Sequence, residues 1–369
     1  MIRSATCRWL LLFLVFPAAA GGTAHSVLRT EGGATFVHQR LPEEDAQDSG
    51  ASADLFVYLP TTSGEWTLYV EANSSTDEDG LFNLYPEINA DAGSAQDADG
   101  SARIQLSELH YRWDIGHNQQ LTFGQIDPSA QLDRSRIAND ENNHFLATGF
   151  VNNPTIEFPD YTLGFLYRRR ALEDSPEVTF MLTSSDGLAD NPGRSYQELV
   201  DLGEAGKGVF AGLGTRWYLG DHRVGVGAWY RSDDHPTFDN PDSGTGNHGF
   251  YALYGWQSGS HGVSLRAGWA RPSVSRTAGY LGVSYEGLTP FGAFGLGVGQ
   301  IFQSGHADQA DTGDTTQIET FFRIPLGSDR IHLTPALQYL KNSGFDSSDD
   351  AVEAEALIVA LRLHVWAGG

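Results

Sequence analysis

The chain has 369 residues, a formal net charge of −24 at pH 7, 43 glycines and a single cysteine. A surface this acidic is a poor partner for nucleic acid, because phosphates bind basic side chains. One cysteine also excludes an intrachain disulfide framework and a cysteine-ligated metal site.

Residues 1–24 are typical of a secretory signal peptide. Arg3 and Arg8 give a positive start, residues 9–16 form a short apolar core, and residues 17–22 are a small-residue cleavage zone. The apolar core is too short to cross a membrane as a helix. Cys7 leaves with this segment, so we expect a cysteine-free mature chain that forms one domain over residues 25–369.

From about residue 33 the chain repeats one pattern, in which runs of about ten residues alternate apolar side chains with polar or small ones. The run Val-Gly-Val-Gly-Ala-Trp-Tyr from Val224 to Tyr230 is an example. Alternation with a period of two is typical of strands that have two different faces. Sixteen strands are predicted, near residues 33–40, 52–59, 65–73, 102–113, 119–126, 161–169, 176–184, 207–218, 222–231, 249–257, 262–271, 277–286, 291–302, 315–325, 330–340 and 353–366.

The connections between these strands alternate between short and long. The short ones carry turn residues, as in Ser63-Gly64 and Leu219-Gly-Asp221. The long, polar ones cover residues 74–101, 127–160, 185–206, 232–248, 303–314 and 341–352. Short periplasmic turns and long extracellular loops are typical of an antiparallel β-barrel in the bacterial outer membrane. An all-β transmembrane barrel of about sixteen strands is therefore predicted, and this width leaves a water-filled channel.

Charge decides which strand face points to lipid. In the last predicted strand Leu361 and Arg362 lie on opposite faces. An arginine that faces lipid at the bilayer midplane costs about 2–4 kcal/mol, so Arg362 is expected to face the lumen. The same reasoning turns inward four other arginines and the polar side of the third strand: Arg216, Arg223, Arg266, Arg323, Tyr69, Glu71 and Asn73. Glycines 212, 214, 225, 227 and 268 are also expected on the inner face, where they would keep the lumen open.

The longest connection, residues 127–160, mixes apolar anchors with many polar groups. Phe145, Leu146, Phe150 and Val151 argue against disorder, and a long ordered loop is usually functional. We expect this loop to fold into the barrel mouth and narrow it.

Several segments around this loop resemble the carbohydrate-selective porins of the OprB family. They are Phe123-Gly-Gln-Ile-Asp-Pro-Ser, Ile137-Ala-Asn-Asp-Glu, His144-Phe-Leu, Val151-Asn-Asn-Pro and Phe158-Pro-Asp-Tyr-Thr-Leu-Gly164. The resemblance implies an outer-membrane barrel of sixteen strands through which mono- or oligosaccharides diffuse passively. Elsewhere the chain resembles the family in architecture more than in motif.

A sugar-selective constriction needs aromatic faces and charged hydrogen-bonding groups that bind weakly at several points. Arg134 or Arg136, together with Asp140 and Glu141, is predicted to line the narrowest part. Further candidates are Asn142 and Asn143 on the loop and Tyr69, Glu71, Arg216, Arg266 and Trp229 on the wall. The same charged groups are equally compatible with ion pairs that fix the loop to the wall.

Other functions remain open but are less favoured. A general or ion-selective porin without sugar preference fits the same fold, whereas a phosphate-selective porin would need a lysine-rich lumen and the chain has two lysines. No Ser/His pair can be placed for an outer-membrane lipase, so an enzyme is not predicted. A soluble adhesin or β-structured binding protein is also disfavoured. The histidines lack the spacing of metal ligands, and no cofactor is expected.

The partners expected for such a barrel are small sugars, outer-membrane lipid and lipopolysaccharide, and the barrel assembly machinery. Outer-membrane barrels commonly end on an aromatic residue that this machinery reads, and here Trp366 lies three residues before the end. The sequence allows a monomer or a homotrimer.

Overall fold

The computed structural model describes residues 27–44, 46–76, 80–173, 175–191, 193–200, 207–307, 313–342 and 355–368. Sixteen antiparallel strands form one closed barrel, in which each strand pairs with its sequence neighbours and the first pairs with the last. The strands are β1 (Arg29–Leu41), β2 (Ala46–Pro60), β3 (Gly64–Asn73), β4 (Arg103–Asp114), β5 (Gln119–Ile126), β6 (Thr162–Arg169), β7 (Glu177–Ser184), β8 (Val209–Leu219), β9 (His222–Thr237), β10 (Asn240–Ser258), β11 (His261–Ala270), β12 (Thr277–Thr289), β13 (Gly292–Gln303), β14 (Thr315–Pro325), β15 (Ile331–Lys341) and β16 (Glu355–Gly368). The predicted fold and strand number are confirmed.

The period-two pattern of the sequence produces an apolar outer wall. Along β16 the side chains of Leu357, Val359, Leu361, Leu363 and Val365 are exposed on the outside, and the alternate residues are buried inside. Arg362 is fully buried on the inner side, as its charge requires. The barrel thus presents hydrocarbon to lipid and keeps its polar groups within.

The chain ends lie at the end of the barrel that carries the short turns. Glu31 pairs with Gly368 there, and β1 also pairs with β2 beside the turn at residues 61–63. The opposite end carries the long connections, including residues 74–102 and 127–161. By the usual orientation of outer-membrane barrels, the short-turn end is periplasmic.

The prediction of a long loop at residues 232–248 is wrong. Residues 232–248 form the outer parts of β9 and β10, which pair across a turn at residues 238–239 with register shifts on the way. Polar pairs such as Asn247 opposite Arg231 hold this extension together. Above the membrane both faces of a strand meet water, so the pairing needs no apolar alternation, and the sequence pattern gives no sign of it.

The remaining helices are single turns within connections: α1 (Leu81–Leu84), a 3₁₀ turn (Pro86–Ile88), α2 (Thr148–Val151) and α3 (Tyr196–Val200). Among the residues described, no helix is long and apolar enough to span a membrane. The expected signal peptide, residues 1–24, lies outside the described residues.

Candidate functional site: a chamber beside the folded-in loop

The connection of residues 127–160 lies inside the barrel, where inward side chains of the wall hold its backbone. The Glu319 carboxylate on β14 accepts N–H groups from Leu146 at 2.8 Å and Ala147 at 2.8 Å. The Arg362 guanidinium on β16 donates to the carbonyls of Glu141 and His144. These charged groups satisfy loop backbone that would otherwise be buried without partners.

A buried ion pair fixes the middle of the loop. Arg266 on β11 donates from Nε and Nη2 to Asp133 Oδ2 at 2.8 and 2.7 Å, and from Nη1 to the Phe150 carbonyl at 2.8 Å. Both charged side chains are almost fully buried. One arginine therefore joins two points of the loop to the wall.

The inward glycines make room for the loop and for large side chains, and the expectation that they keep the lumen open is wrong. A Cβ on Gly212 would lie 2.6 Å from Leu132, and one on Gly268 would lie 1.9 Å from the Thr155 hydroxyl. The space beside the other three is filled by side chains of β10: Tyr251 beside Gly214 and Gly227, and Leu253 beside Gly225. The space that these glycines leave on the wall is therefore filled by side chains of the loop or of β10.

A second connection, residues 74–102, also turns inward. Leu81, Phe82, Tyr85 and Ile88 pack with residues of β1, β15 and β16 in one apolar cluster. The Gln39 and Gln338 amides donate to the Ile88 carbonyl, and the Ala90 N–H donates to the Leu146 carbonyl of the first loop. The two loops together cover the inner wall on this side of the barrel.

The loops leave a chamber of about 390 Å³ against β2, β3 and β4. It is lined by Asp54, Phe56, Tyr69, Glu71, Ala90, Asp91, Ser94, Glu108, Asp127, Ser129, Ala130, Asn139, Glu141, Val151, Asn152, Phe158, Pro159, Asp160 and Tyr161. Seven of these residues are acidic and none is basic.

The chamber carboxylates bond mainly to neutral groups. Glu71 accepts from the hydroxyls of Ser94 and Ser107, and Asp54 accepts from the Tyr69 hydroxyl at 2.7 Å. In the described part of the chain, none of the seven forms an ion pair with an arginine or lysine, and the only basic contact is His110 beside Glu108 at 3.2 Å. The chamber therefore concentrates acidic groups that have no arginine or lysine in contact.

Burial and mutual repulsion raise the pKa values of the acidic groups that the loops bring to the chamber. Burial raises the pKa of Glu141 to about 8, and the charges of Asp91 and Asp140 act in the same direction. Burial likewise raises the pKa values of Asp91 and Asp127 to about 6. The pKa of Asp160 also lies well above its usual range, first because of burial and then because of nearby acids.

Aromatic rings form one side of the chamber. The Phe56 and Tyr69 rings stack with centroids 4.2 Å apart and an angle of 4° between planes, and Tyr161 meets Tyr69 edge-on at 6.2 Å. Because these rings lie among carboxylates, the chamber combines flat apolar faces with strong hydrogen-bond acceptors.

A second cavity of about 610 Å³ lies at the periplasmic end, beside the turn between β12 and β13. Its charged lining is mixed: Asp140, His144, Arg323, Asp329 and His332. Arg323 and His144 both contact Glu286, at 3.5 and 3.2 Å. This vestibule is more nearly balanced in charge than the chamber.

The structure divides the predicted site residues among three places. Tyr69, Glu71 and Glu141 line the chamber, and Asp140 and Asn143 line the vestibule. The remaining ones hold the loop to the wall: Arg134 pairs with Glu177, Arg216 donates to the Arg134 carbonyl, Arg136 donates to Gln257, Asn142 accepts from Thr35, and Arg266 pairs with Asp133. Trp229 is buried against Phe210 rather than lining the chamber.

Sequence reasoning missed most of the acidic lining, namely Asp54, Asp91, Glu108, Asp127 and Asp160. Asp54 lies on the inward face of β2, two residues from Phe56, and this alternation was readable. The inward direction of Glu108 could not be read from the sequence, because the pairing of β3 with β4 shifts register between Tyr69 and Val70. This shift changes which β4 residues point inward. The sequence does not indicate where the acidic side chains of the loops point, because loop residues follow no regular alternation.

Comparison with known proteins gives a family and a set of similar folds. The model of the carbohydrate-selective porin, OprB family, matches residues 205–365. The fold is similar to OprB of Pseudomonas putida, with a TM-score of 0.72 and 12% identity over 92% of this chain and 94% of that chain. The fold is also similar to OmpF of Salmonella typhi in complex with daunomycin, with a TM-score of 0.58 and 9% identity over 92% of this chain and 97% of that chain. OmpT of Vibrio cholerae in its trimer form has a TM-score of 0.57 and 14% identity over 92% of this chain and 99% of that chain. No curated protein matches the sequence.

A closed barrel of sixteen strands with an apolar exterior and a polar chamber inside defines an outer-membrane porin, which is a channel and not an enzyme. The match of its C-terminal part distinguishes it further. Residues 205–365 match the carbohydrate-selective porins of the OprB family, and this match, together with the fold, supports passive diffusion of carbohydrates across the bacterial outer membrane.

Proposed function

We propose that the chamber between the loop of residues 127–160 and strands β2 to β4 is where this porin selects its sugars. The observation that carries the proposal is the stacked pair Phe56 and Tyr69 beside the acceptors Glu71 and Glu141 in one cavity. A sugar has apolar faces and a rim of hydroxyls, so rings and carboxylates match its two kinds of surface. Charged acceptors form stronger hydrogen bonds than neutral ones.

In this proposal the arginines of the loop region position the constriction instead of lining it. Arg134 joins the loop to Glu177 on the wall, Arg216 donates to the Arg134 carbonyl, and Arg266 holds the loop at Asp133. The mixed-charge vestibule that contains Asp140 and Asn143 receives the sugar after the chamber. Contacts at successive points keep each one weak enough for the sugar to leave.

The test is sugar block of ion conductance in planar bilayers. Glucose or maltose in the chamber should reduce the conductance of the wild-type porin. Phe56→Leu should weaken this block about fivefold, since one ring contact contributes about 1 kcal/mol. Phe302→Leu is the matched control, because the Phe302 ring is exposed on the outer face of β13.

Two outcomes contradict the proposal in different ways. A wild-type conductance that no sugar reduces removes sugar binding from this channel. Equal block in Phe56→Leu and wild type keeps sugar binding but moves the selecting site away from the chamber.

The proposal extends to assembly and surroundings. We expect residues 1–24 to direct export, the barrel assembly machinery to insert the barrel, and lipid and lipopolysaccharide to surround it. One similar structure, OmpT, is described in a trimer form. A homotrimer is therefore proposed over a monomer, and the mass of the purified porin in mild detergent tests it.

A further inference from the structure

The charges inside the barrel are separated by side. Several basic groups that hold the loop have acidic partners outside the chamber: Arg134 and Arg216 share Glu177, Arg266 pairs with Asp133, and Arg323 pairs with Glu286. The chamber carries seven acidic residues and no basic one. A sugar that crosses the chamber therefore meets one sign of charge only.

The acids surround the chamber instead of forming a chelating cluster. They come from five segments: Asp54 on β2, Glu71 on β3, Glu108 on β4, Asp91 on the connection of residues 74–102, and the others on or beside the loop. Within the described residues, no three His, Cys, Asp or Glu side chains are placed to hold a metal ion. The arrangement produces a negative potential across the whole cavity, and low-dielectric walls concentrate such a field.

The aromatic side of the chamber suits a cation independently of the carboxylates. The stacked rings of Phe56 and Tyr69 both line the cavity, and a cation that reaches an aromatic face is attracted by the ring quadrupole. An ammonium group on a sugar would meet both the rings and the acids. A carboxylate or phosphate on a sugar would meet only repulsion.

Glu141 is a chamber acid on the loop whose backbone is held by the barrel wall. Its carbonyl accepts from Arg362, so its backbone is fixed while its side chain lines the chamber. The charges that act on its carboxyl include those of Asp91, Asp140 and Asp54, all of the same sign. A change of charge at residue 141 therefore acts at the centre of the acidic region.

We propose that the chamber sorts sugars by charge, admitting neutral and amino sugars and rejecting sugar acids and sugar phosphates, with Glu141 as a specificity-determining residue. This inference rests on the proposed function, because it requires sugars to pass through the chamber.

The experiment compares three sugars of nearly equal size in liposomes that contain the full-length mature porin at pH 7. Radiolabelled glucose, glucosamine and glucuronate are followed as initial influx rates at low salt and again at high salt. Glucosamine should enter about tenfold faster than glucuronate at low salt. This factor is the lower end of the rate increase that a cleft lined by charges of one sign gives to a ligand of opposite charge. High salt should reduce this ratio, since it screens the field.

Variants assign the effect to the chamber. Glu141→Lys should lower the ratio of glucosamine to glucuronate severalfold, on the scale of one charge at close range. Asp99→Lys is the matched control and should keep the wild-type ratio and glucose influx, because Asp99 is exposed on an extracellular connection outside the chamber. The β-sheet circular dichroism of each variant reports whether the barrel has folded.

The results separate this inference from the function beneath it. Equal rates for glucosamine and glucuronate in a wild-type porin that passes glucose overturn the charge filter and leave the sugar channel standing. Failure of glucose itself to enter overturns the proposed function. An unchanged ratio in Glu141→Lys, with the ratio present in wild type, removes the role of residue 141.

Discussion

At the scale of single residues, the inner wall of this porin works mainly through charged groups that hold loop backbone. Arg266, Glu319 and Arg362 each bond two or more groups of the loop of residues 127–160. Such groups are costly to bury alone, and the bonds to several loop groups offset that cost here. The position of the loop therefore depends on a few side chains far apart in sequence.

Arg266→Ala is the sharpest test of this dependence. The substitution leaves the Asp133 carboxylate buried without its counter-charge, and breaking a buried pair in this way costs about 3–5 kcal/mol. Asp133 belongs to the loop and not to the hydrogen-bonded barrel, so the cost falls on loop docking. We expect the loop to detach, trypsin to cleave after Arg134 or Arg136 in the folded porin, and the single-channel conductance to rise.

The double variant Arg266→Met with Asp133→Leu is the control for this prediction. It removes both charges together and should keep the loop protected from trypsin. If Arg266→Ala resists trypsin as well as wild type does, the bonds from Glu319 and Arg362 hold the loop without the ion pair.

The inward direction of these residues could be predicted from the sequence, but their partners could not. Period-two alternation and the cost of charge in lipid place Arg216, Arg266 and Arg362 inside. Whether an inward arginine binds solute or loop depends on contacts between residues more than 100 positions apart, as for Arg266 and Asp133. No local pattern records such a contact.

At the scale of elements, the strands were readable because lipid and lumen impose opposite demands on alternate residues. Where those demands are absent, the alternation of apolar and polar residues did not predict the structure. The outer parts of β9 and β10 lie beyond the membrane, and the connection of residues 74–102 packs inward through Leu81, Phe82, Tyr85 and Ile88. That apolar run was visible in a stretch otherwise read as a polar loop. The glycines of β8 to β11 were located correctly but misinterpreted, since a sequence does not show what fills the space beside them.

Gly268→Ala tests the fit between loop and wall. The added Cβ would lie 1.9 Å from the Thr155 hydroxyl and 2.6 Å from the Asn153 side chain, so the loop must move away from β11. Overpacking of this kind costs about 1–3 kcal/mol. A loop that moves away from β11 moves into the lumen, so we expect lower single-channel conductance in a barrel that is otherwise intact.

Gly255→Ala on β10 is the matched control, since its added Cβ would meet only Arg223 Cβ at 3.9 Å and the Val263 carbonyl at 4.0 Å. Its conductance should equal that of wild type. Unchanged conductance in Gly268→Ala would mean that the loop absorbs the displacement without narrowing the chamber.

At the scale of the whole molecule, the barrel separates an outer wall chosen for lipid from an inner path whose charge depends on pH. The acids that the two loops bring to the chamber have raised pKa values, near 6 for Asp91 and Asp127 and near 8 for Glu141. A raised pKa keeps a carboxyl neutral at low pH, so these groups become charged only as the pH rises through their pKa values. The channel therefore becomes more negative inside between pH 5 and pH 9.

The preference of the channel for cations should rise with pH in two parts. Asp91 and Asp127 contribute to the increase from about pH 5 to pH 7, and Glu141 contributes to the increase from about pH 7 to pH 9. Reversal potentials in a potassium chloride gradient measure this preference. Glu141→Gln should reduce the upper part and leave the lower part, whereas Asp99→Asn should change neither, because Asp99 is exposed outside the chamber. A wild-type preference that is constant with pH, or that falls as pH rises, would show that the conduction path avoids these acids.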